Sequence, residues 1–406
     1  MEALGDRPTL RRNLRAMPPS AWVLFAGSFV NRLGTFVLPF ITIYLTRRGY
    51  SAPQAGIAIA GYGLGGLLSQ VTGGLLADRI GRKNAIATSM LSAGLLTLAL
   101  WRATSLAAIY PLMVGIGFFG ELHRPASGAL IADLLPPEQR VTAFTLYRLA
   151  VNVGWAGGLA LGGFLAERSF TLMFVGDAAT SITFGLISLG ALPHGTRTAR
   201  HEEVHLPTAR RSIVDDRGFL LFLASVLLAS AVYAQNVSTL PLRIRDAGFS
   251  ATTYGLLQSL NGVLVVLLEL PVISWTQRHD RLRMVALGHL LIGAGFASLL
   301  IADSIPLLVG MIAVWTFGEM IESPVAAAIA ADRAPVHARG RYQSAFGSMF
   351  GIAWMAGPVL GTSVYAWSPT ALWVGCGLVG LASAGLSLAA RRHPVPIHPA
   401  FDGIGT

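Results

Sequence analysis

Charged residues are scarce in this 406-residue sequence. Asp, Glu, Lys and Arg make up 12% of it, against roughly 25% in an ordinary soluble domain. Hydrophobic residues make up 53%. A water-soluble fold would have to leave much of that apolar surface exposed to water. The composition therefore excludes an ordinary soluble protein and predicts one that lies in a lipid bilayer.

Cysteine and lysine each occur once, as Cys376 and Lys83. A single cysteine excludes an internal disulfide and any cysteine-based metal cluster. The formal net charge of +10 is almost entirely due to arginine, which reflects coding bias more than chemistry. We therefore predict no nucleic-acid partner.

Residues for enzymatic chemistry are also missing from the sequence. It has no Walker A loop and no cluster of metal ligands, so we predict no cofactor, no bound metal and no enzymatic activity. The glycine run 61–66 superficially resembles a nucleotide-binding loop, but it lies within an apolar run and follows no strand. We interpret those glycines as helix-packing residues.

Long apolar runs are abundant. About 20 apolar helical residues cross a bilayer, and the first run is too long for the core of a secretion signal, so we predict that it is retained. The runs predict twelve spans, numbered here in chain order: 21–46, 53–77, 84–103, 106–132, 142–166, 169–193, 218–242, 252–275, 284–302, 305–331, 342–366 and 369–390.

The spans fall into two sets of six around a polar stretch. We predict an N-terminal six-helix bundle (1–192), a cytoplasmic linker (193–217), a C-terminal six-helix bundle (218–392) and a cytoplasmic tail (393–406). Most Lys and Arg residues outside the spans lie in segments on the same side as the N-terminus. The positive-inside rule then predicts that both termini are cytoplasmic.

An internal repeat relates the two halves through a constant offset of 199 residues. The offset pairs distinctive residues: Pro125 with Pro324, Asp133 with Asp332, Arg140 with Arg339, Gly158 with Gly357, and Gly162 with Gly361. Two-fold repeats around a midplane site are common in secondary transporters, which alternate access to the two sides of the membrane. The sequence therefore predicts a transporter for a small solute.

A ten-residue motif lies at the cytoplasmic end of span 2. Residues 74–83, GLLADRIGRK, resemble the signature G-x-L-A-D-R-x-G-R-K of the major facilitator superfamily at every specified position. The resemblance extends over the whole chain and is to the twelve-span drug:proton antiporter branch. It implies an all-α membrane fold of two six-helix repeats, with spans 1, 4, 7 and 10 around a central cavity.

The signature loop predicts a cytoplasmic gate. Its glycines permit close helix approach and a tight turn, and its acid can pair with arginines or cap a helix. We assign to this gate Gly74, Asp78, Arg79, Gly81, Arg82 and Asp133. Gln277 replaces the acid in the second half, so we expect a one-sided latch.

Span 5 carries glycines at the spacing of the superfamily's antiporter motif. Gly154, Gly158 and Gly162 fit the pattern, but Leu159 stands where the motif has proline. Span 11 has that proline as Pro358. The resemblance implies export by antiport, whereas simple helix packing explains the same glycines without implying a transport direction.

Ionisable and amide side chains recur within the predicted cavity spans. A charge at bilayer depth costs about 2.5–3.5 kcal/mol on insertion scales, so each needs a partner or a function. We predict that the substrate cavity is lined by Asn31, Arg32, His123, Arg124, Gln235, Asn236 and Trp315. Structural alternatives are a permanent ion pair for Glu121 with Arg124 and an interhelical hydrogen bond for His123.

Glu319 and Glu322 are three residues apart in span 10, so they share one helical face. Two adjacent acids cannot both ionise without a large cost, and at least one can therefore carry a proton. We predict proton coupling at these residues, with Glu322 aligned to His123 by the repeat. Glu121 and Asp177 are further candidates.

The most favoured function is proton-coupled efflux of small amphipathic molecules or drugs by a multi-pass, monomeric protein of the cell inner membrane. The alternative is a proton symporter for a nutrient such as a peptide, sugar or organic acid. Paired arginines that bind an anion would favour the symporter, and only Arg32 and Arg124 supply them.

Overall fold

The computed structural model describes residues 14, 16–194, 213–334 and 338–393, without the side chains at 75, 78, 137, 138, 141 and 339. Twelve helical segments of this described part are long and apolar enough to cross a membrane. They confirm the predicted spans.

The helices of the first half are Pro19–Leu33 and Val37–Arg47 (span 1), Ala52–Ile80 (span 2), Arg82–Arg102 (span 3), Leu106–Leu134 (span 4), Pro137–Arg168 (span 5) and Phe170–Ala191 (span 6). The second half has Arg217–Tyr233, Gln235–Ser238 and Leu240–Asp246 (span 7), Ala251–Thr276 (span 8), Arg281–Ala297 (span 9), Ile305–Arg333 (span 10), Arg339–Trp367 (span 11) and Pro369–Ala390 (span 12). Two 3-10 turns complete the set, Ile213–Asp215 and Ser298–Leu300.

Serine side chains mark several helix starts. Ser51 and Gln54 form a reciprocal capping box at the start of span 2, which satisfies backbone N–H groups that have no partner within the helix. Ser169 caps span 6 and Ser368 caps span 12. These two serines are 199 residues apart, so the repeat extends to helix termini.

Spans 1 and 7 are broken, although each run of apolar residues predicts one continuous helix. Span 1 is interrupted between Leu33 and Val37, and span 7 is interrupted at Ala234 and again at Thr239. The break in span 1 and the first break in span 7 lie at nearly equivalent positions under the offset of 199 residues. At the break in span 1, Asp177 of span 6 binds two backbone amides. At the first break in span 7, Gln235 of the same span donates to the Ala231 carbonyl. Hydropathy alone does not report either contact.

Glycines allow several helices to approach closely. A Cβ added at Gly158 of span 5 would lie 2.7 Å from the carbonyl oxygen of Leu33, and one added at Gly357 of span 11 would lie 3.0 Å from that of Ala231. These equivalent glycines pack span 5 on span 1 and span 11 on span 7. In this structure the antiporter-like spacing therefore serves helix packing.

The described residues group into two compact units, one drawn from 1–203 with 244–266 and the other from 204–243 with 267–406. The start of span 8 belongs to the first unit because Ser259 donates to the carbonyl of Ala156 at 2.6 Å, and the Thr252 amide donates to Glu167 at 2.8 Å. The boundaries 1–192 and 218–392 rest on the repeat and stay a prediction.

Each unit contains a buried apolar cluster built from equivalent positions. Because the same positions are buried twice, the repeat in sequence is also a repeat in packing. The equivalent cluster members are Leu24 and Leu223, Ile86 and Val285, Leu130 and Ile329, Ile131 and Ala330, and Ala143 and Tyr342.

Candidate functional site

A small cavity with both polar and apolar walls lies within the first unit, and three predicted site residues line it: Asn31, Arg32 and Asp177. Tyr62 and Ser181 also contribute to its wall. Its volume is about 60 Å³, and a single water needs about 10–15 Å³. A drug-sized ligand needs roughly 300 Å³ or more. In this conformation the cavity therefore accommodates a few waters or a small ion, not a large solute.

Arg32 presents a buried cation to this cavity. Arg32 is 7% exposed. Its guanidinium interacts electrostatically with both Glu121 and Arg124. Its neighbour Asn31 donates to the Ser181 hydroxyl at 3.1 Å, which ties span 1 to span 6. This placement agrees with a role for Arg32 as counter-charge to the acids of the unit.

Glu121 is held through both carboxylate oxygens. The Tyr62 hydroxyl donates to Oε1 at 2.8 Å, and Arg124 Nε lies 2.9 Å from Oε2. The expected pairing of Glu121 with Arg124 along one helical face is thus present, although the Arg124 side chain is 55% exposed. His123 is buried, and its Nδ1 lies 2.8 Å from the carbonyl oxygen of Gly120 in the same helix.

Asp177 binds the break in span 1. Its Oδ2 accepts hydrogen bonds from the backbone amides of Phe36 and Val37, both at 2.9 Å. These amides begin the second helix of span 1, where a helix favours negative charge. The acid therefore stabilises the N-terminus of that helix, in addition to lining the cavity.

The two acids of span 10 point to different helices. Glu319 accepts a hydrogen bond from the Tyr233 hydroxyl of span 7 at 3.1 Å. Glu322 is 7% exposed, and its Oε1 lies 3.7 Å from Nε2 of His289 in span 9. An imidazole does lie beside Glu322, but it belongs to His289, which sequence reasoning missed. The available signal was a histidine in the middle of an apolar span.

The Gln235 side chain forms hydrogen bonds at the break in span 7. Its amide nitrogen donates to the carbonyl of Gly357 at 3.0 Å, and its amide oxygen accepts from Ser238 and Thr239, both at 3.0 Å. The side chain is only 4% exposed. Gln235 thus stabilises the broken helix, and its neighbour Asn236 is also buried. The substrate-cavity role expected of Gln235 stays a prediction.

Trp315 is a core residue in this structure. It is fully buried, and it packs against Tyr233 and Phe296 at ring-centroid distances of 5.4 and 5.9 Å. A Cβ added at Gly295 would lie 2.7 Å from the Cβ of Trp315, so spans 9 and 10 approach closely there. The substrate-cavity role expected of Trp315 stays a prediction.

The signature loop forms a tight connection between spans 2 and 3. Gly81 has a φ of 87°, which favours glycine, and Arg82 Nε lies 3.0 Å from Asp133 Oδ2. Arg79 is exposed. A Cβ added at Gly74 would meet no described atom within 4 Å, so the expected close approach is not found at that residue. The Asp78 side chain lies outside the described residues.

The ion pair of the signature loop recurs in the second half. Arg281 bonds Asp332, and these residues are 199 positions after Arg82 and Asp133. The expectation of a one-sided latch concerns the loop acid, which Gln277 replaces in the second half, and it stays a prediction, because the pair that recurs joins Arg281 to Asp332 of span 10.

Twelve helical spans in two repeats, with ionisable side chains buried at mid-span, define the class of polytopic membrane transport proteins. The family model of the Major Facilitator Superfamily matches residues 24–252 and 221–404. The chain belongs to this superfamily, and it is a multi-pass membrane transporter for small molecules.

Relatives of known name include the multidrug resistance protein MdtH of Escherichia coli O157:H7. It is 27% identical over 365 residues, which cover 86% of this chain and 88% of MdtH. The uncharacterized MFS-type transporter YqjV of Bacillus subtilis (strain 168) is 26% identical over 311 residues, covering 75% of this chain and 76% of YqjV.

Solved structures share the fold at low identity. A POT family transporter in complex with a thioalcohol-conjugated peptide superposes with a TM-score of 0.76 at 16% identity, covering 94% of this chain and 99% of the other. A bacterial homologue of the human lysosomal transporter Spinster, inward-facing and occupied, gives 0.74 at 16% identity, with 94% and 98% covered.

Proposed function

We propose that this protein exports small amphipathic molecules in exchange for protons by alternating access. The observation that carries the proposal is the placement of Glu319 and Glu322 within span 10, each beside a neutral or titratable partner, the Tyr233 hydroxyl and the His289 imidazole. A carboxyl group beside a hydroxyl or an imidazole can keep a hydrogen bond to that partner whether or not the carboxyl group carries a proton. The name of MdtH, a multidrug resistance protein, supports drugs as the solute class.

The other acids differ in their partners. Glu121 is ion-paired with Arg124, and Asp177 holds two backbone amides. Proton binding at either acid would have to weaken those contacts. We therefore assign the main proton-coupling role to span 10, and we assign Glu121 and Asp177 the role of secondary proton sites that respond to movement of spans 1 and 4.

The solute-binding role goes to polar side chains of the cavity spans. We propose that Asn31, Arg32, His123, Arg124 and Asn236 contact the solute during the transport cycle. In this conformation the cavity is too small for such a solute, so binding requires it to widen.

The cytoplasmic gate consists of the signature loop and Asp133. We propose that Gly74, Asp78, Arg79, Gly81 and Arg82 hold the cytoplasmic side closed in one state and release it in the other. The protein acts as a monomer in the inner membrane, with both termini in the cytoplasm.

The driving force is the proton gradient. One proton charge that moves inward through 100 mV releases about 2.3 kcal/mol. That free energy maintains a roughly fiftyfold gradient of a neutral solute if one molecule leaves per proton. The chemistry required of the protein is therefore to bind one proton and one solute alternately.

A nutrient symporter is the second candidate. Arg32 favours it, because a buried guanidinium that lines a cavity can bind the carboxylate of a peptide or organic acid. In that case the proton and the solute move in the same direction.

The test uses purified protein in liposomes that contain a pH-sensitive dye. A pH gradient is imposed, and lipophilic cationic and zwitterionic drugs are added to wild type, Glu319→Gln and Glu322→Gln. Asp303→Asn is the matched control, since that acid is 79% exposed in its ion pair with Arg243.

Proton flux opposite to drug flux, lost in a span 10 variant and kept in the control, is the expected result. Proton movement only together with an added peptide, sugar or organic acid, with every drug inert, would replace the exporter with the symporter. Drug-dependent proton flux that survives both glutamate substitutions would remove span 10 from the coupling mechanism.

A further inference from the structure

His289 and Glu322 form a buried pair, and the span 10 assignment gives His289 no part in binding the proton itself. His289 is fully buried in span 9, and Glu322 is 7% exposed. Gly288 makes their approach possible, because a Cβ there would lie 2.5 Å from the Cβ of Glu322 and 2.8 Å from the carbonyl oxygen of Gly318. The imidazole Nε2 lies 3.7 Å from Glu322 Oε1 and has no hydrogen-bond partner among the described residues.

Two serines of span 12 determine which ring nitrogen carries hydrogen. The Ser383 hydroxyl donates its hydrogen to the Ser225 carbonyl at 2.7 Å, and the Ser387 hydroxyl donates to the Ser383 carbonyl at 3.2 Å. Each hydroxyl has a single hydrogen. With these hydrogens donated to carbonyl groups, both oxygens are left as acceptors towards His289 Nδ1, at 2.7 and 3.3 Å, and we assign the ring hydrogen to Nδ1 on that basis.

The tautomer with hydrogen on Nδ1 leaves a lone pair on Nε2. That lone pair faces a carboxylate oxygen of Glu322, so two acceptors oppose each other in a buried site. Such a contact is unfavourable without a hydrogen between the two atoms. Addition of one proton, to either Nε2 or Oε1, converts it into a charge-assisted or neutral hydrogen bond. A small rotation of the glutamate closes the remaining distance.

We propose that His289 and Glu322 together bind the coupling proton, which they share between Nε2 and Oε1. This assignment rests on the proposed function in that the proton bound here is the transported one. It places the proton site where span 9 packs against spans 10 and 12, with His289 as a direct ligand of the proton and Ser383 as the residue that positions the ring.

Other titratable groups near the pair are few. On span 10 the nearest acid in the sequence is Glu319, which accepts a hydrogen bond from Tyr233 of span 7. A negative charge on Glu319 favours retention of the proton that His289 and Glu322 share. Span 12 has Cys376 as its one titratable side chain. Span 11 has no acid or histidine in its sequence between 342 and 367, only Tyr342 and Tyr365. The pair thus binds its proton next to one further carboxyl group.

The first arm of the test measures the proton directly. Protein labelled with ¹⁵N-histidine is placed in lipid nanodiscs, and the ring nitrogen signals are followed as the pH is lowered. The signals that disappear in His289→Gln are assigned to His289. If His289→Gln does not accumulate, the signals that shift in Ser383→Ala provide the assignment. His279, exposed in the connection after span 8, is the internal control for a histidine outside the spans.

We expect hydrogen on Nδ1 and a bare Nε2 at alkaline pH, followed by a shift of the Nε2 signal on acidification. In Glu322→Gln an amide lies beside Nε2, and this shift should be lost. Hydrogen on Nε2 at alkaline pH would overturn the proposal. A titration of His289 that is unchanged by Glu322→Gln would also overturn it.

The second arm measures transport in the liposome assay. His289→Gln should lose proton-driven flux while it retains exchange of labelled solute at equal pH, and His279→Gln should match wild type. If wild type couples protons and His289→Gln couples them equally well, the proton site lies elsewhere. If wild type moves no protons with any solute, the proposed function fails, and the nuclear magnetic resonance arm still decides whether the pair binds a proton.

Discussion

Ion pairs at equivalent positions of the two halves differ in exposure. Arg82 and Asp133 have side chains that are 7% and 18% exposed, whereas those of Arg281 and Asp332 are 59% and 61% exposed. Water solvates the second pair and screens its attraction. The same pair of residue types therefore contributes differently to stability in the two halves.

This difference predicts unequal effects of two matched substitutions. Asp133→Asn removes a charged partner of the buried Arg82 and should lower the free energy of unfolding by about 1–3 kcal/mol. Asp332→Asn should lower it by less than about 1 kcal/mol. Thermal unfolding of both variants in the same detergent, followed by tryptophan fluorescence, provides the measurement. Equal shifts in the midpoint would show that exposure does not govern these pairs.

The acids within the spans each have a partner that offsets the cost of burial. Glu121 has a tyrosine and an arginine, Asp177 has two amides, and Glu322 has an imidazole. The partners set what each acid can do. An arginine favours a permanent charge, while an imidazole allows exchange of a proton.

At the scale of helices, spans 2 and 4 pack through glycines. A Cβ at Gly117 would lie 2.8 and 2.9 Å from the carbonyl carbon and Cα of Tyr62, and closer still to its carbonyl oxygen. A Cβ at Gly65 would lie 2.6 Å from the Phe118 nitrogen. The contact also positions Tyr62, whose hydroxyl binds Glu121.

Gly117→Ala should therefore separate the two helices and destabilise the protein by about 1–3 kcal/mol, the usual cost of overpacking. Gly120→Ala in the same helix is the control, because its added Cβ meets no described atom within 4 Å. Expression level and thermal stability, measured by fluorescence-detected size exclusion, compare the two. A Gly117→Ala protein as stable as the control would disprove the close approach.

For the whole molecule, the repeat and the positive-inside rule predict a definite orientation. In a Cys376→Ser background, Thr104→Cys tests the connection between spans 3 and 4, and His279→Cys tests the connection between spans 8 and 9. Both positions are exposed. With cytoplasmic termini, a membrane-impermeant maleimide applied to intact cells should label residue 104 alone.

Permeabilised cells should label both positions, which shows that the second cysteine is reactive. Labelling of residue 279 but not residue 104 in intact cells would reverse the orientation. It would also reverse the direction assigned to proton-driven transport.

The sequence by itself determined the number of spans, the repeat and the family. These depend on the length of apolar runs, on residues at a fixed offset and on the motif at 74–83, which are all linear properties of the chain. It also identified Glu319 and Glu322 as unusual, because an ionisable residue in an apolar run is visible without coordinates.

Only the tertiary structure decided which partner each polar residue has. The sequence does not show that Asp177 binds the amides of Phe36 and Val37, which are about 140 residues away, or that Gln235 holds the break in span 7. Nor does it place His289 beside Glu322. Hydropathy reports how a residue partitions into lipid, whereas a hydrogen bond depends on the direction of a side chain and on the rotation of both helices about their axes.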